Sequence, residues 1–312
     1  MSSRTLIKLV VSIVLMALLI WRIPISEMGA SLTLLDARAV VGGLALSLAG
    51  SWLSGVRLWV LEPAIRLGPA IRVTFVSIYY STVLPGQVAG DAVKAYRLSN
   101  GPLTLGQAAA ATLTDRALAT LALLFVSACA APWVAQVPRN LALLLAAASA
   151  SLMLGMFALA VPRIHSKVVE WLPPDDRVGV RAFLGRVAEG LNSYLSHPSR
   201  ILGCFAIALA FHGIGLAIHL VVGGALGIEL TAKVWFLVYG AVALLMLIPV
   251  SLAGLGLREG GYVGLLALFG VPSPPALALS VVFFAFTLIT ALIGSLAELT
   301  GARPTDSERK TN

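Results

Sequence analysis

The chain has 312 residues, of which 59% are hydrophobic and 12% charged, with a formal net charge of +8 and a mean hydropathy of +0.94. Soluble globular domains do not have that balance, and apolar runs long enough to cross a bilayer recur along the whole length. The basic excess is therefore assigned to a positive-inside bias and to anionic lipid headgroups, not to nucleic acid. The two cysteines, Cys129 and Cys204, lie in apolar runs and read as small core residues rather than as redox or metal groups.

The first apolar run, 6–25, has the look of a signal-peptide core. No small-x-small cleavage site follows in "WRIPISEMGA", so it reads as a retained first helix. Further crossings are expected at 40–60, 107–131, 140–161, 201–226 and 276–299. Two shorter apolar pieces, 73–84 and 235–248, run into Pro85 and Pro249, which lack an amide donor and break a helix. A glycine-rich turn and a second short stretch follow each break, at 91–100 and 257–269. Broken backbone at membrane depth is tolerated only where protein or a wet cavity surrounds it, so both are expected to be re-entrant hairpins. The polar loop 162–200 places Val180, Phe183, Leu184, Val187, Leu191 and Tyr194 on one helical face. It reads either as an amphipathic helix on the inner membrane surface or as a plain linker helix. The tail 300–312 is expected to be disordered and cytoplasmic. The expected fold is an all-α, polytopic integral membrane protein: one membrane domain, 1–299, with about six full crossings and two re-entrant helical hairpins.

The two interruptions resemble each other. "LPGQVAGDAVK" (Leu84 to Lys94) aligns without gaps with "IPVSLAGLGLR" (Ile248 to Arg258), pairing Pro85 with Pro249, Gly90 with Gly254 and Lys94 with Arg258. The same register brings 40–60 onto 204–224 and sets 107–131 close to 276–299, so 40–131 and 204–299 read as repeat units. Arginines and lysines concentrate at the N-terminus, in 61–106, in 162–200 and in the tail, which the positive-inside rule makes the cytoplasmic side. Both termini are then cytoplasmic and the units inverted, with hairpins dipping in from opposite faces, an arrangement typical of transporters.

A helix that starts within the membrane points free N–H groups and the positive end of its dipole into the site. Gly90 is expected to let a ligand approach the backbone, Asp91 to cap the helix, and Lys94 and Arg97 to share a face one turn on. Together they suit a phosphate. Gly254, Gly256, Arg258 and Glu259 repeat the device in the second hairpin. Snorkelling of Lys94 and Arg97 to the headgroups, and a surface-facing Arg258–Glu259 pair, are the plainer readings. Asp115 and Arg116 fall inside the crossing 107–131 and point about 100° apart, so each needs a partner elsewhere. Asp115 is expected to pair with Lys94 or Arg97, as a structural clamp or a coupling acid. Arg57 and Glu62 read as interfacial anchors. His212 and His219 are too far apart on one helix to share a metal without other ligands, so they read as polar interior residues. No phosphate-binding loop, dinucleotide-binding glycine pattern or nucleophile elbow is present, so no cofactor, metal or catalytic residue is assigned.

These motifs resemble the membrane (flippase) domain of lysylphosphatidylglycerol synthetases, a family with stand-alone and fused members. That family shows Pro-x-x-x-Gly-Gly-Asp-x-x-Arg, then an acidic-Arg pair in the next helix, then Pro-x-Ser-x-x-Gly-x-Gly-x-Arg-Glu. Here they fall at Pro85 to Lys94, at Asp115-Arg116 and at Pro249 to Glu259, in order, over roughly 40–299. Ala89 and Ala253 stand where glycine is commoner, Lys94 where arginine is, and Asp115 where glutamate is; lysine at 94 loses bidentate phosphate geometry. The resemblance implies a flippase of the bacterial cytoplasmic (inner) membrane that moves a phosphate-bearing or aminoacylated lipid between leaflets. The aminoacyl-transferase domain of fused members is absent, so no lysyl-lipid synthesis is expected. Expected partners are membrane lipids, a second copy of the chain or an enzyme of a lipid pathway. The rival readings are an accessory subunit of a lipid- or glycan-modifying pathway and a membrane-embedded lipid-modifying enzyme.

Overall fold

A computed structural model describes residues 25–84, 88–134, 139–160, 167, 180–246 and 254–300, and all regular structure among them is helical. In chain order the helices are α1 (Ile25–Leu32), α2 (Ala37–Leu61), α3 (Leu67–Val83), α4 (Val88–Ser99), α5 (Leu105–Ala130), α6 (Arg139–Ala160), α7 (Val180–Leu195), α8 (Pro198–Ala225), α9 (Ala232–Met246), α10 (Leu257–Ala267) and α11 (Ser273–Leu299). Four of them, α2, α5 with its 3-10 extension, α8 and α11, are long and apolar enough to cross a membrane. The first expected crossing, 6–25, lies outside the described residues up to position 24, as do 161–166, 168–179 and the tail beyond Thr300.

Local chemistry sets the boundaries. Asp36 caps α2 by accepting from the Ala39 amide at 2.8 Å. Thr104 and Gln107 cap α5 reciprocally, each side chain accepting from the other's backbone N–H. Helix α3 stops at Val83 with Leu84 extended, as a residue before proline must be. It begins at Leu67, six residues before the expected apolar piece, because the amphipathic turn carrying Arg72 dilutes the hydropathy but not the helix.

A sequence of long, short, short and long helices occurs twice. Helices α2 to α5 have 25, 17, 12 and 26 residues. Helices α8 to α11 have 28, 15, 11 and 27. Helix α2 packs along α8, α3 packs on α11, and α9 packs on α5. One apolar core gathers Leu58, Leu61, Ala70, Ala108 to Ala111 and Leu118; the other gathers Val222, Trp235, Val238, Leu266, Leu279 and Phe286. The alanine run allows close helix approach, the usual device where lipid competes equally for apolar side chains. Large apolar residues such as Trp52, Phe125, Leu154, Leu292 and Leu296 face outward, as bilayer-facing surfaces require.

Helix α7 docks on protein. A side chain at Gly190 would overlap Ala110, and one at Gly106 would overlap Arg186. Val187, Ala188 and Tyr194 are buried, and the Tyr194 hydroxyl donates to Glu62 Oε2 at 2.7 Å. Burial, reinforced by that bond, pushes the Tyr194 hydroxyl well above the ordinary tyrosine range.

Candidate functional site

The first hairpin is tied together by charges from three helices. Helix α4 carries Asp91 in its first turn and Lys94 one turn later. Helix α5 presents Asp115 and Arg116, which point in different directions and find different partners. The Asp91 carboxylate accepts from Arg116. Asp115 Oδ2 accepts from Lys94 Nζ at 3.1 Å, and Asp115 Oδ1 accepts from Arg57 Nε of α2 at 2.6 Å. Lys94, Asp115 and Arg57 are all at most 5% exposed. One carboxylate thus balances two buried cations. The remaining Arg57 groups are poorly served: Nη2 donates to Ser54 Oγ at 3.3 Å, Nη1 has no hydrogen-bond partner, and the guanidinium lies 5.9 Å from the Phe211 ring centroid. Two cations on one carboxylate leave this buried cluster with an excess positive charge, which is costly away from water.

Arg97 parts company with Lys94. Its side chain is 44% exposed and pairs with Glu298 at the end of α11. Arg72 of α3 donates from Nε and Nη2 to the Ala297 carbonyl of the same turn, at 3.1 and 2.6 Å, which satisfies a terminal carbonyl of α11. Arg72, Arg97 and Glu298 line one open cavity of about 450 Å³.

In the second hairpin the charges are neighbours. Gly256, with φ of 80°, starts α10, and its N–H donates to Glu259 Oε2 at 2.6 Å. Gly254 also has a positive φ, 76°, so the turn needs glycine at both positions. Arg258 pairs with Glu259 and donates from Nε to Ser280 Oγ of α11 at 3.1 Å. The Arg258 guanidinium also lies 4.8 Å from the Phe284 ring centroid.

The two motifs meet in one place. A cavity of about 320 Å³ is bounded by Arg116 of α5, Arg258 of α10, Ser81 and Thr82 of α3, Met246 of α9 and Phe284 of α11. The C-terminal ends of α3 and α9 both reach it. Its wall carries hydrocarbon, hydroxyls and two guanidiniums, each paired with a carboxylate, Arg116 with Asp91 and Arg258 with Glu259.

Of the residues singled out in the sequence, Asp91, Lys94, Asp115 and Arg116 are brought together, as are Gly254, Gly256, Arg258 and Glu259, with Arg116 and Arg258 facing the same cavity. The expected Asp115–Lys94 pair is present, and Arg97 stands apart. Pro85 and Pro249 lie outside the described residues. Gly90 serves a different purpose from the one expected: a side chain there would overlap Ser77 and Ser81 of α3, so the glycine allows close packing of α3 on α4 rather than ligand approach on that side. Arg57, read as an interfacial anchor, is instead buried on Asp115. The signal for it was arithmetic: Asp115 is the single acid of its crossing, and more than one basic residue stands at membrane depth. Cys204 is buried, but Cys129 is exposed on α5 rather than in the core. His212 lies 3.1 Å from the Tyr239 hydroxyl and 2.8 Å from the Ala119 carbonyl. His219 lies 2.7 Å from the Gly215 carbonyl and 2.9 Å from the Tyr262 hydroxyl. Among the described residues, no cluster of three or more His, Cys, Asp or Glu is placed to hold a metal ion.

Comparison with curated proteins and with solved structures returned no match. The model of the lysylphosphatidylglycerol synthase transmembrane region, in contrast, matches residues 5–294. A multi-pass helical chain with these motifs, matched over nearly all its length, belongs to that family.

Proposed function

We propose that the protein is a flippase that moves a phosphate-bearing lipid between the leaflets of the bacterial cytoplasmic membrane, with both termini in the cytoplasm. The observation that carries this reading is the cavity in which Arg116 from one half of the molecule and Arg258 from the other face a common apolar space. Guanidinium groups bind phosphate bidentately, and their retention at membrane depth costs roughly 2.5–3.5 kcal/mol each on insertion scales. The headgroup phosphate occupies this cavity in transit. Lys94 is buried on Asp115 and does not line the cavity, whereas Arg116, paired with Asp91, does, so Arg116 is the first hairpin's contribution to the anion.

The reciprocal packing, α3 on α11 and α9 on α5 about a central α2–α8 contact, is what two repeat units related by a two-fold axis would produce, and it supports the inverted-repeat reading. The groove of Arg72 and Arg97 lies at the basic, cytoplasmic end and is the entry for anionic headgroups. The test is transport itself. Purified protein in vesicles carrying a fluorescent phosphatidylglycerol should expose the inner-leaflet label to an external quencher faster than protein-free vesicles do. Equal rates with and without protein, across anionic phospholipids, would remove the flippase reading.

A further inference from the structure

The anion cavity has a neighbour that the headgroup does not explain. A second cavity, of about 210 Å³, lies where α2, α8, α9, α10 and α11 converge. Phe283 and Thr287, one turn apart on α11, line both cavities, and Thr287 is exposed at the shared edge.

The second cavity is apolar despite its residue names. Leu46, Ile214, Ile218 and Phe286 supply hydrocarbon. Apart from the Ser47 hydroxyl, the polar side chains turn their hydrogen-bonding atoms to other partners. His219 is engaged by the Gly215 carbonyl and the Tyr262 hydroxyl. The Tyr239 hydroxyl is engaged by His212. Ser51 donates to the Ser47 carbonyl at 3.0 Å and Thr287 to the Phe283 carbonyl at 2.9 Å. What remains for an occupant is mostly ring faces and methylenes, with the single Ser47 hydroxyl. Such a space at membrane depth favours a hydrocarbon chain over water or a polar molecule.

We infer that this cavity takes the upper part of one acyl chain of the same lipid whose phosphate lies between Arg116 and Arg258, so that one chain travels against the protein while its headgroup crosses. The inference rests on the proposed flippase function. The shared wall at Phe283 and Thr287 gives the chain its route, and the apolar lining rewards each methylene that leaves the bulk lipid for a close-packed site. Lipids with long chains then gain contacts that short-chain analogues of the same headgroup do not.

The experiment compares phosphatidylglycerols of long and very short acyl chains in reconstituted vesicles, for the wild-type protein and for Gly50→Leu and Ser51→Leu. Both positions line the cavity, and a Cβ at Gly50 would make only ordinary contacts with Phe211 and Ile214. Filling the cavity should lower long-chain transport about tenfold, the change expected when roughly two methylenes lose burial, and leave short-chain transport near wild type. Equal loss for both lipids, or no loss for either, overturns the chain site while leaving the flippase reading intact. Failure of the wild type to move any phospholipid removes the flippase reading instead. A second measurement needs no variant: a phosphatidylglycerol with a photoreactive group on the upper part of one acyl chain should crosslink to the wild-type protein at α2 or α8 cavity residues such as Gly50 and Ile214. Crosslinks confined to the outward-facing Leu292 and Leu296 would overturn the inference.

Discussion

Lys94 and Arg258 follow the two chain breaks at matched positions, yet their carboxylates come from different places. Glu259 is the residue next to Arg258 and is itself held by the Gly256 N–H at the start of the same helix. Asp115 lies across on α5 and is shared with Arg57 of α2. In the second hairpin, charge balance travels with α10; its polar ties to α11 are the Ser280 hydroxyl, shared by Arg258 and Glu259, and the Phe284 contact, beside the apolar packing of Tyr262 and Leu266 on α11. In the first, any separation of α4 from α5 pulls apart buried ion pairs among three helices. The charges of the first hairpin thus bind separate helices to one another, whereas those of the second are balanced within one helix. The lesson is that a repeated motif does not repeat its mechanics: what matters is whether the counter-charge belongs to the same helix.

The largest break in this comparison is Asp115→Asn. It strands two buried cations and should destabilise the protein by about 3–5 kcal/mol, read as a large drop in the thermal unfolding midpoint in detergent. A double variant that also replaces Lys94 should remain unstable, because Arg57 is still unpaired. Glu259→Gln comes next, at about 1.5–3 kcal/mol, since a neutral amide still caps α10 and Arg258 borders an open cavity. Equal losses for Asp115→Asn and Glu259→Gln would erase the distinction between the hairpins. Lys94→Met should cost about 1 kcal/mol, because Arg57 continues to hold Asp115 and the methionine stem fills the space. Arg97→Gln should cost less than about 1 kcal/mol, as the exposed pair with Glu298 is solvent-screened; a larger loss would mean that the end of α11 depends on it.

Much of this architecture was legible in the sequence for physical reasons. Runs such as 40–60 and 276–299 announce long helices because hydrocarbon demands about 20 apolar residues, and Pro85 fixes where α3 stops because proline restricts the residue before it. The adjacency of Asp115 and Arg116 correctly required separate partners, since helical geometry keeps neighbours apart. Arg57 was not legible, because a charge near the end of an apolar run looks the same whether it meets headgroups or a carboxylate from a helix 58 residues later. Gly90 misled for a related reason: glycine permits close approach, but only the fold decides whether a ligand or Ser77 and Ser81 of α3 makes that approach. The meeting of Arg116 and Arg258 in one cavity depends on how the two halves pack, which no local pattern encodes.

The central claim is that this cavity carries the lipid phosphate, and it is tested most directly by measuring phosphatidylglycerol transport in vesicles for Arg116→Gln, Arg258→Gln and Arg97→Gln, with the thermal midpoint of each protein followed in parallel. The account predicts that Arg116→Gln and Arg258→Gln each lower the rate by about a hundredfold, as loss of a charge-assisted bidentate contact of roughly 3 kcal/mol would. Arg97→Gln should stay within a few-fold of wild type and all three proteins should remain folded. Wild-type rates for Arg116→Gln and Arg258→Gln in folded protein would contradict it.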